Sequence, residues 1–249
     1  THWWAGSGSD RSELLLNTGE AEVRFTRPGP ATTGIDRPRP AGSSWDHGDM
    51  TAAVFDFDND GWPDVYIGAS DYAGNHGLLY HQVQPGRFEP VSIDDGIDHH
   101  RSHGIAVADF DRDGDLDVVV GHSRARCDAT QPDNCYPTAQ VRLFQNQAAG
   151  STNWVQLDLE GGSGANRHAI GARVTVSAGG VTQTQEVGGG HGHFGIQHDH
   201  VLHFGLGGAC EAEVTVRWPD AALTVERFTL SSGVRYRLTQ GEAPVAVPR

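Results

Sequence analysis

The chain contains no lysine: all 18 of its basic residues are arginine. That excludes a Schiff-base lysine, a P-loop lysine and a lysine general base. Basic charge is scarce altogether. Against 32 acidic residues it leaves a formal net charge of −14. Nucleic-acid binding calls for a basic stripe and docking on anionic membranes for a basic cluster, so neither is expected. No apolar run approaches the ~20 residues of a membrane-spanning helix, so no membrane span is expected. The nucleophile and metalloprotease signatures G-x-S-x-G, C-x-x-C and H-E-x-x-H are all missing. A single methionine and 33 glycines in 249 residues point to a turn-rich, all-β protein rather than a helical one.

Of the three cysteines, Cys127 and Cys135 bracket the polar loop CDATQPDNC. A disulfide there closes a short loop and implies an oxidising compartment, secreted, extracellular or periplasmic. Two free thiols in a polar loop are the alternative. Cys210 is left over and reads as a small buried residue. The start, THWWAGSGSD, has neither a basic n-region nor an apolar core and lacks methionine, so the expectation is a processed chain or part of a longer one.

Comparing the chain with itself is the most informative step. AAVFDFDNDGWPDVYIGAS (52–70) aligns without gaps on IAVADFDRDGDLDVVVGHS (105–123), so that Asp109 falls on Asp56. Each copy carries aspartates at relative positions 1, 3, 5 and 9 and glycine at 6. These are Asp56, Asp58, Asp60 and Asp64 with Gly61, then Asp109, Asp111, Asp113 and Asp117 with Gly114. Like charges this close repel unless a cation sits among them, and hard oxygen ligands converging from a tight loop suit Ca2+. The position-7 carbonyls of Trp62 and Asp115 can add a ligand each, making two Ca2+ sites. An EF-hand is excluded. It would place a bidentate Glu at position 12 between helices, whereas position 12 is Ile67 or Val120 in strand-like flanks. A solvated, Asp-rich hairpin turn is the bland alternative.

DFDNDGWPD and DFDRDGDLD resemble the core of the FG-GAP (VCBS-type) repeat, the calcium-loop unit of β-propeller blades, over roughly residues 11–148. The resemblance implies blades of antiparallel strands. Only about two and a half units are visible where a closed propeller needs typically 4–8 blades, so an incomplete propeller with unpaired blade edges is expected.

Beyond AAGSTNW the pattern changes. WVQLDLE alternates, with Val155, Leu157 and Leu159 on one face, and ARVTVSAG, VTQTQEV, EVTVRWP, TVERFTL and VRYRLTQ follow with turn signals between them. This predicts a small antiparallel β-sandwich or barrel. The expected domains are therefore 1–149, the calcium-binding repeat region, and 150–249, the second β domain. NWVQLDL, AIGARVTV, QEVGGG, LHFGLG and VTVRWPD resemble, in order, the ASPIC/UnbV domain. The one departure is Ala221 after WPD, where that family usually has glycine. Repeat units followed by this domain resemble the cartilage acidic protein family and its secreted bacterial relatives.

Histidine is abundant, at 14 residues, and five fall in HGHFGIQHDHVLH: His191, His193, His198, His200 and His203. On a hairpin these could gather imidazoles and Asp199 around Zn2+ or Cu2+; hydrogen-bonding in a half-buried sheet is the alternative. His99, His100 and His103 precede the second acidic loop, with His47 at the repeat position of His100; ordinary polar surface is the default reading and loop or blade-top ligands the alternative. Two functions are carried forward. One is a non-enzymatic, secreted Ca2+-binding interaction or assembly module, meeting a protein or extracellular-matrix partner or copies of itself through blade edges. The other is a metal-dependent lyase, cyclase or oxidoreductase using segment 191–203. No catalytic residue is assigned, because metal binding accounts for the clustered aspartates.

Overall fold

The computed structural model describes residues 12–37, 49–71, 75–125, 127, 135–138, 140–148, 150, 152–188 and 196–248. His47, His191 and His193 lie outside them.

The first repeat unit folds as an antiparallel meander of β3 (Thr51–Phe55), β4 (Asp64–Gly68), β5 (Leu78–Gln84) and β6 (Arg87–Pro90). Before it come a short hairpin, β1 (Leu16–Asn17) with β2 (Phe25–Thr26), and one helical turn, α1 (Pro30–Thr33). The second unit gives three strands in the same arrangement, β7 (Ser102–Ala108), β8 (Asp117–His122) and β9 (Val141–Phe144). Each acidic loop is the connection between the first two strands of its sheet, closing on Phe55 opposite Asp64 and Ala108 opposite Asp117. The run DVYIG is apolar without alternation because β4 is buried on both faces. Tyr66 points towards Ala53, Phe55, Ile105, Val107, Val118 and Val120 between the two sheets, and Val65 and Ile67 towards Ile35, Tyr80 and Phe88.

The second β domain consists of two facing four-stranded sheets. One has the order β13 (Leu202–Gly207), β10 (Asn153–Glu160), β16 (Val234–Thr239), β17 (Val245–Val247). The other has the order β12 (Val181–Glu186), β11 (Arg173–Ala178), β14 (Glu211–Arg217), β15 (Val225–Ser231). Val155, Leu157, Leu159, Val174, Val176, Phe204, Val214, Val216, Trp218 and Leu238 fill the space between them. Each such side chain contributes roughly 1.5–3 kcal/mol by leaving water.

The architecture is thus all-β, with blade-type sheets followed by an open sandwich. The expected antiparallel sandwich contains one parallel pair, β10 with β16. The turn after β15 carries the chain across to the other sheet, where Gly233 N donates to Trp154 O at 2.7 Å and β16 sets off in the direction of β10. Cys210, expected to be buried, is corrected. It is exposed, because it lies in the turn just ahead of β14 rather than on the alternating strand. Cys127 and Cys135 are joined as a disulfide.

Candidate metal centre at the domain junction

The two acidic loops fold alike. At position 6, Gly61 N donates to Asp56 Oδ2 at 2.9 Å and Gly114 N to Asp109 Oδ2 at 3.1 Å. At position 2, Phe57 N donates to Asp64 Oδ2 and Phe110 N to Asp117 Oδ2, both at 3.0 Å. The other oxygen of each position-9 aspartate holds the third strand of the sheet: Gln82 N donates to Asp64 Oδ1 at 2.7 Å and Asn146 N to Asp117 Oδ1 at 2.8 Å. Positions 4 and 6 are left-handed in both copies, at φ 59° and 93° for Asn59 and Gly61 and 63° and 104° for Arg112 and Gly114. Asn tolerates that region through its short polar side chain and Gly through having none.

This folding gathers carboxylates. Asp56, Asp58 and Asp64 present oxygens within 4.8 Å of one another, as do Asp109, Asp111 and Asp117. Asp60 instead joins Asp58 and His81 in a third such group. Asp113 and Asp115 fall outside the second group; Asp115 Oδ1 accepts from Asn59 Nδ2 at 3.1 Å. Trp62 lies in the first turn, donating its N–H to Asp60 Oδ1 at 2.7 Å.

Electrostatics favour a cation here. Burial, reinforced by neighbouring aspartates, pushes Asp56 up to about 8 and Asp64 up to about 7. Burial and then Asp113 push Asp115 up to about 6. Burial also raises Asp60, Asp109 and Asp117. Asp109 Oδ1 is buried without a hydrogen-bond partner. A buried carboxylate oxygen lacking a donor is costly unless a proton or cation meets it. The donor set is all oxygen apart from His81 and fits Ca2+, for which the loop aspartates would be the ligands.

The sandwich closes over these loops. Asn59, fully buried, donates from Nδ2 to Gly114 O at 3.2 Å and accepts at Oδ1 from His203 Nε2 at 2.5 Å. The other ring nitrogen of His203 faces Gln156 Nε2 at 3.3 Å, which also donates to Asp109 Oδ2 at 2.7 Å. Gly207 N donates to Asn59 O at 2.8 Å, and Thr152 Oγ1 to Asp58 O at 2.8 Å. Gly205 sits where a Cβ would overlap Asp56 Oδ2 and come within 2.5 Å of Asn59 Cα. A cleft of about 490 Å3 beside this junction is lined by Asp56, Trp62, Asp109, Gln183, His198 and Asp199, so both loops are reached from solvent.

Residues 56–120, spanning both loops, match the FG-GAP-like repeat family, and residues 162–245 match the ASPIC and UnbV family. The chain joins an FG-GAP-like repeat region to an ASPIC and UnbV domain. It is similar to cartilage acidic protein 1 of Xenopus tropicalis, at 28% identity over 87% of this chain and 31% of that protein. The mouse protein of the same name is 28% identical over 70% of this chain and 26% of its own length. The human one is 26% identical over 70% of this chain and 25% of its length. The chain therefore spans between a quarter and a third of the curated relatives it matches.

In the ASPIC and UnbV domain the three described histidines of segment 191–203 go separate ways. His203 lies in the junction. His198 Nδ1 accepts from Val107 N at 3.2 Å, and the His200 ring lies tilted beside that of His168, 5.8 Å between centroids. Among the described residues they form no group of three ligands within 4.8 Å. His99, expected at the surface, is fully buried, with His122, Tyr136 and Phe144 around its ring. Sequence reasoning missed Asn59, His81 and Gln156. Only His81 left a local signal: it stands in β5 where the second unit has Gln145.

Proposed function

We propose that this chain is a non-enzymatic interaction module of the extracellular or periplasmic space, held in its working shape by two structural Ca2+ ions. The observation that carries the reading is the pair of equivalent carboxylate groups, Asp56–Asp58–Asp64 and Asp109–Asp111–Asp117, placed where the two domains meet. The carbonyls of Trp62 and Asp115 would complete the coordination. Bound ions would neutralise the carboxylates that burial leaves unfavourable, and so hold the loops in the form that Asn59, Gln156 and His203 grip. The Cys127–Cys135 disulfide and the likeness to cartilage acidic proteins support a location outside the cytosol.

Partner binding is assigned to apolar side chains left open on the repeat region. On β9, Val141 and Leu143 are 74% and 56% exposed, and on the β1–β2 hairpin, Val23 and Phe25 are 76% and 57% exposed. β9 is also the outer strand of a three-stranded sheet, so among the described residues one of its edges pairs with no other strand. Protein or matrix partners, or further copies of the chain, are the class this surface fits. The test is calorimetric titration of chelator-stripped protein with Ca2+ alongside thermal melts with and without EGTA. Two binding equivalents and a Tm raised by several degrees are expected. No binding and an unchanged Tm would overturn the calcium reading.

A further inference from the structure

The two acidic loops share a backbone but not a ligand set. Gln82 and Asn146 are structural equivalents, since each donates its N–H to the position-9 aspartate. The residues before them, His81 and Gln145, are therefore equivalent too. Gln145 Nε2 hydrogen-bonds Asp111 Oδ2, the position-3 carboxylate of its loop. His81 meets the same position of the first loop: its Nε2 lies 3.2 Å from Asp58 Oδ2 and 3.7 Å from Asp60 Oδ2. That nitrogen is buried and lines up on neither oxygen as a hydrogen bond. The imidazole ring packs edge-on against Phe57, 5.5 Å between centroids, which holds it over the loop. Where the second loop closes with a neutral amide donor, the first presents an imidazole nitrogen and two carboxylates within 4.8 Å of one another.

Imidazole changes which ion is preferred. All-oxygen sites suit Ca2+, whereas one nitrogen among carboxylates suits borderline divalent ions such as Zn2+. Ligand atoms about 2.0–2.2 Å from a tetrahedral Zn2+ lie roughly 3.2–3.6 Å from each other; the His81–Asp58 separation of 3.2 Å falls in that range and the His81–Asp60 separation of 3.7 Å just beyond it. We infer that, beside the carboxylate group read as its Ca2+ site, the first loop carries in Asp58, Asp60 and His81 a mixed nitrogen–oxygen site for a divalent transition-metal ion, whereas the second loop, with Gln145 in place of histidine, has only its oxygen-only Ca2+ site. The inference rests on reading the first loop as a cation site. An imidazolium ion pair would use the same contacts but would leave no metal spectrum.

The test uses the full chain, stripped with chelator and titrated with Co2+ as a spectroscopic stand-in for Zn2+, in three forms. These are the wild type, His81→Gln, which copies the second unit's residue, and Gln145→His, which copies the first. The wild type should show one strongest site with visible d–d absorption, displaced by Zn2+. His81→Gln should weaken that site about tenfold or more, and Gln145→His should add a second. Equal Co2+ affinity and spectra in wild type and His81→Gln would overturn the inference. Parallel Ca2+ calorimetry separates the two readings. Unchanged Ca2+ binding in His81→Gln with no Co2+ difference overturns this inference alone, and His81-dependent Co2+ binding without Ca2+ binding overturns the calcium reading alone.

Discussion

His203 Nε2 donates to Asn59 Oδ1 at 2.5 Å, joining residues 144 positions apart in the chain. This bond fixes the tautomer: with Nε2 protonated, Nδ1 is the acceptor for Gln156, whose amide also serves Asp109. Asn59 in turn donates to Gly114 O and Asp115 Oδ1. The sandwich thereby holds both acidic loops through one imidazole. Burial pulls that imidazole down to about 3, so the ring is uncharged near neutral pH.

Replacing His203 with Phe keeps a ring but leaves Asn59 Oδ1 and one Gln156 donor buried without partners. Each such orphan costs about 1–3 kcal/mol, so we expect the two together to cost about 2–6 kcal/mol in urea unfolding at saturating Ca2+. Amide exchange should quicken in both loops, not only around β13. A stability equal to wild type would mean that the ring of hydrogen bonds does not hold the junction.

Gly205→Ala tests the same contact sterically. The added methyl would overlap Asp56 Oδ2 and crowd Asn59 Cα, and the backbone of a left-handed loop residue cannot yield as a flexible side-chain end can. We expect destabilisation of about 1–3 kcal/mol together with weaker Ca2+ binding in the first loop. Gly208→Ala, which meets nothing within 4 Å, is the control and should leave both measurements unchanged.

What was legible in the chain follows from the range of each interaction. The D-x-D-x-D-G-x-x-D loops are local, so spacing alone located the aspartates and the left-handed glycines. Val155, Leu157 and Leu159 could be placed on a core face because strand alternation is local as well. Alternation did not reveal that β10 also buries Trp154 and Gln156 on its opposite face. They are covered by loops about a hundred and about fifty residues earlier in the chain, and no periodicity reports that. Asn59 reads as an ordinary turn asparagine until His203 stands opposite it. The histidine-rich segment looked like a ligand cluster because its spacing is regular, yet its described members point to Asn59, Val107 and His168.

The Cys127–Cys135 disulfide closes a loop of a separation of 8 residues. In the chain-entropy account, removing so short a cross-link costs about 2–3 kcal/mol. The double variant Cys127→Ser, Cys135→Ser should lose about that much in urea unfolding, and reduced wild type should match it. Ca2+ affinity should be unaffected, since among the described residues Cys127 hydrogen-bonds to Ser123 and Arg124 and neither cysteine to an acidic loop. A Ca2+ affinity that fell with the disulfide would tie the loop to the metal centre.

His99 gives the chain a defined sensitivity to acid. Its ring is fully buried, and neither nitrogen has a hydrogen-bond partner. Burial, and after it His122 and Arg142, pull it down to about 4. An unfolded histidine titrates near 6.5, so as pH falls the unfolded chain takes its proton first. The contribution is fully present above about pH 6.5, is lost as pH falls towards about 4, and changes no further below that. At its steepest, one proton is worth about 1.4 kcal/mol per pH unit. His99→Leu removes the ionisable group and its two orphaned nitrogens together, so stability at pH 7.5 should stay level or rise. The slope between pH 4 and 6.5 should fall by about one proton, with His122, shifted in the same direction by burial, supplying part of what remains. Denaturant unfolding at half-unit pH steps reads the slope, and an unchanged slope in His99→Leu would show that this buried ring does not set the acid limit.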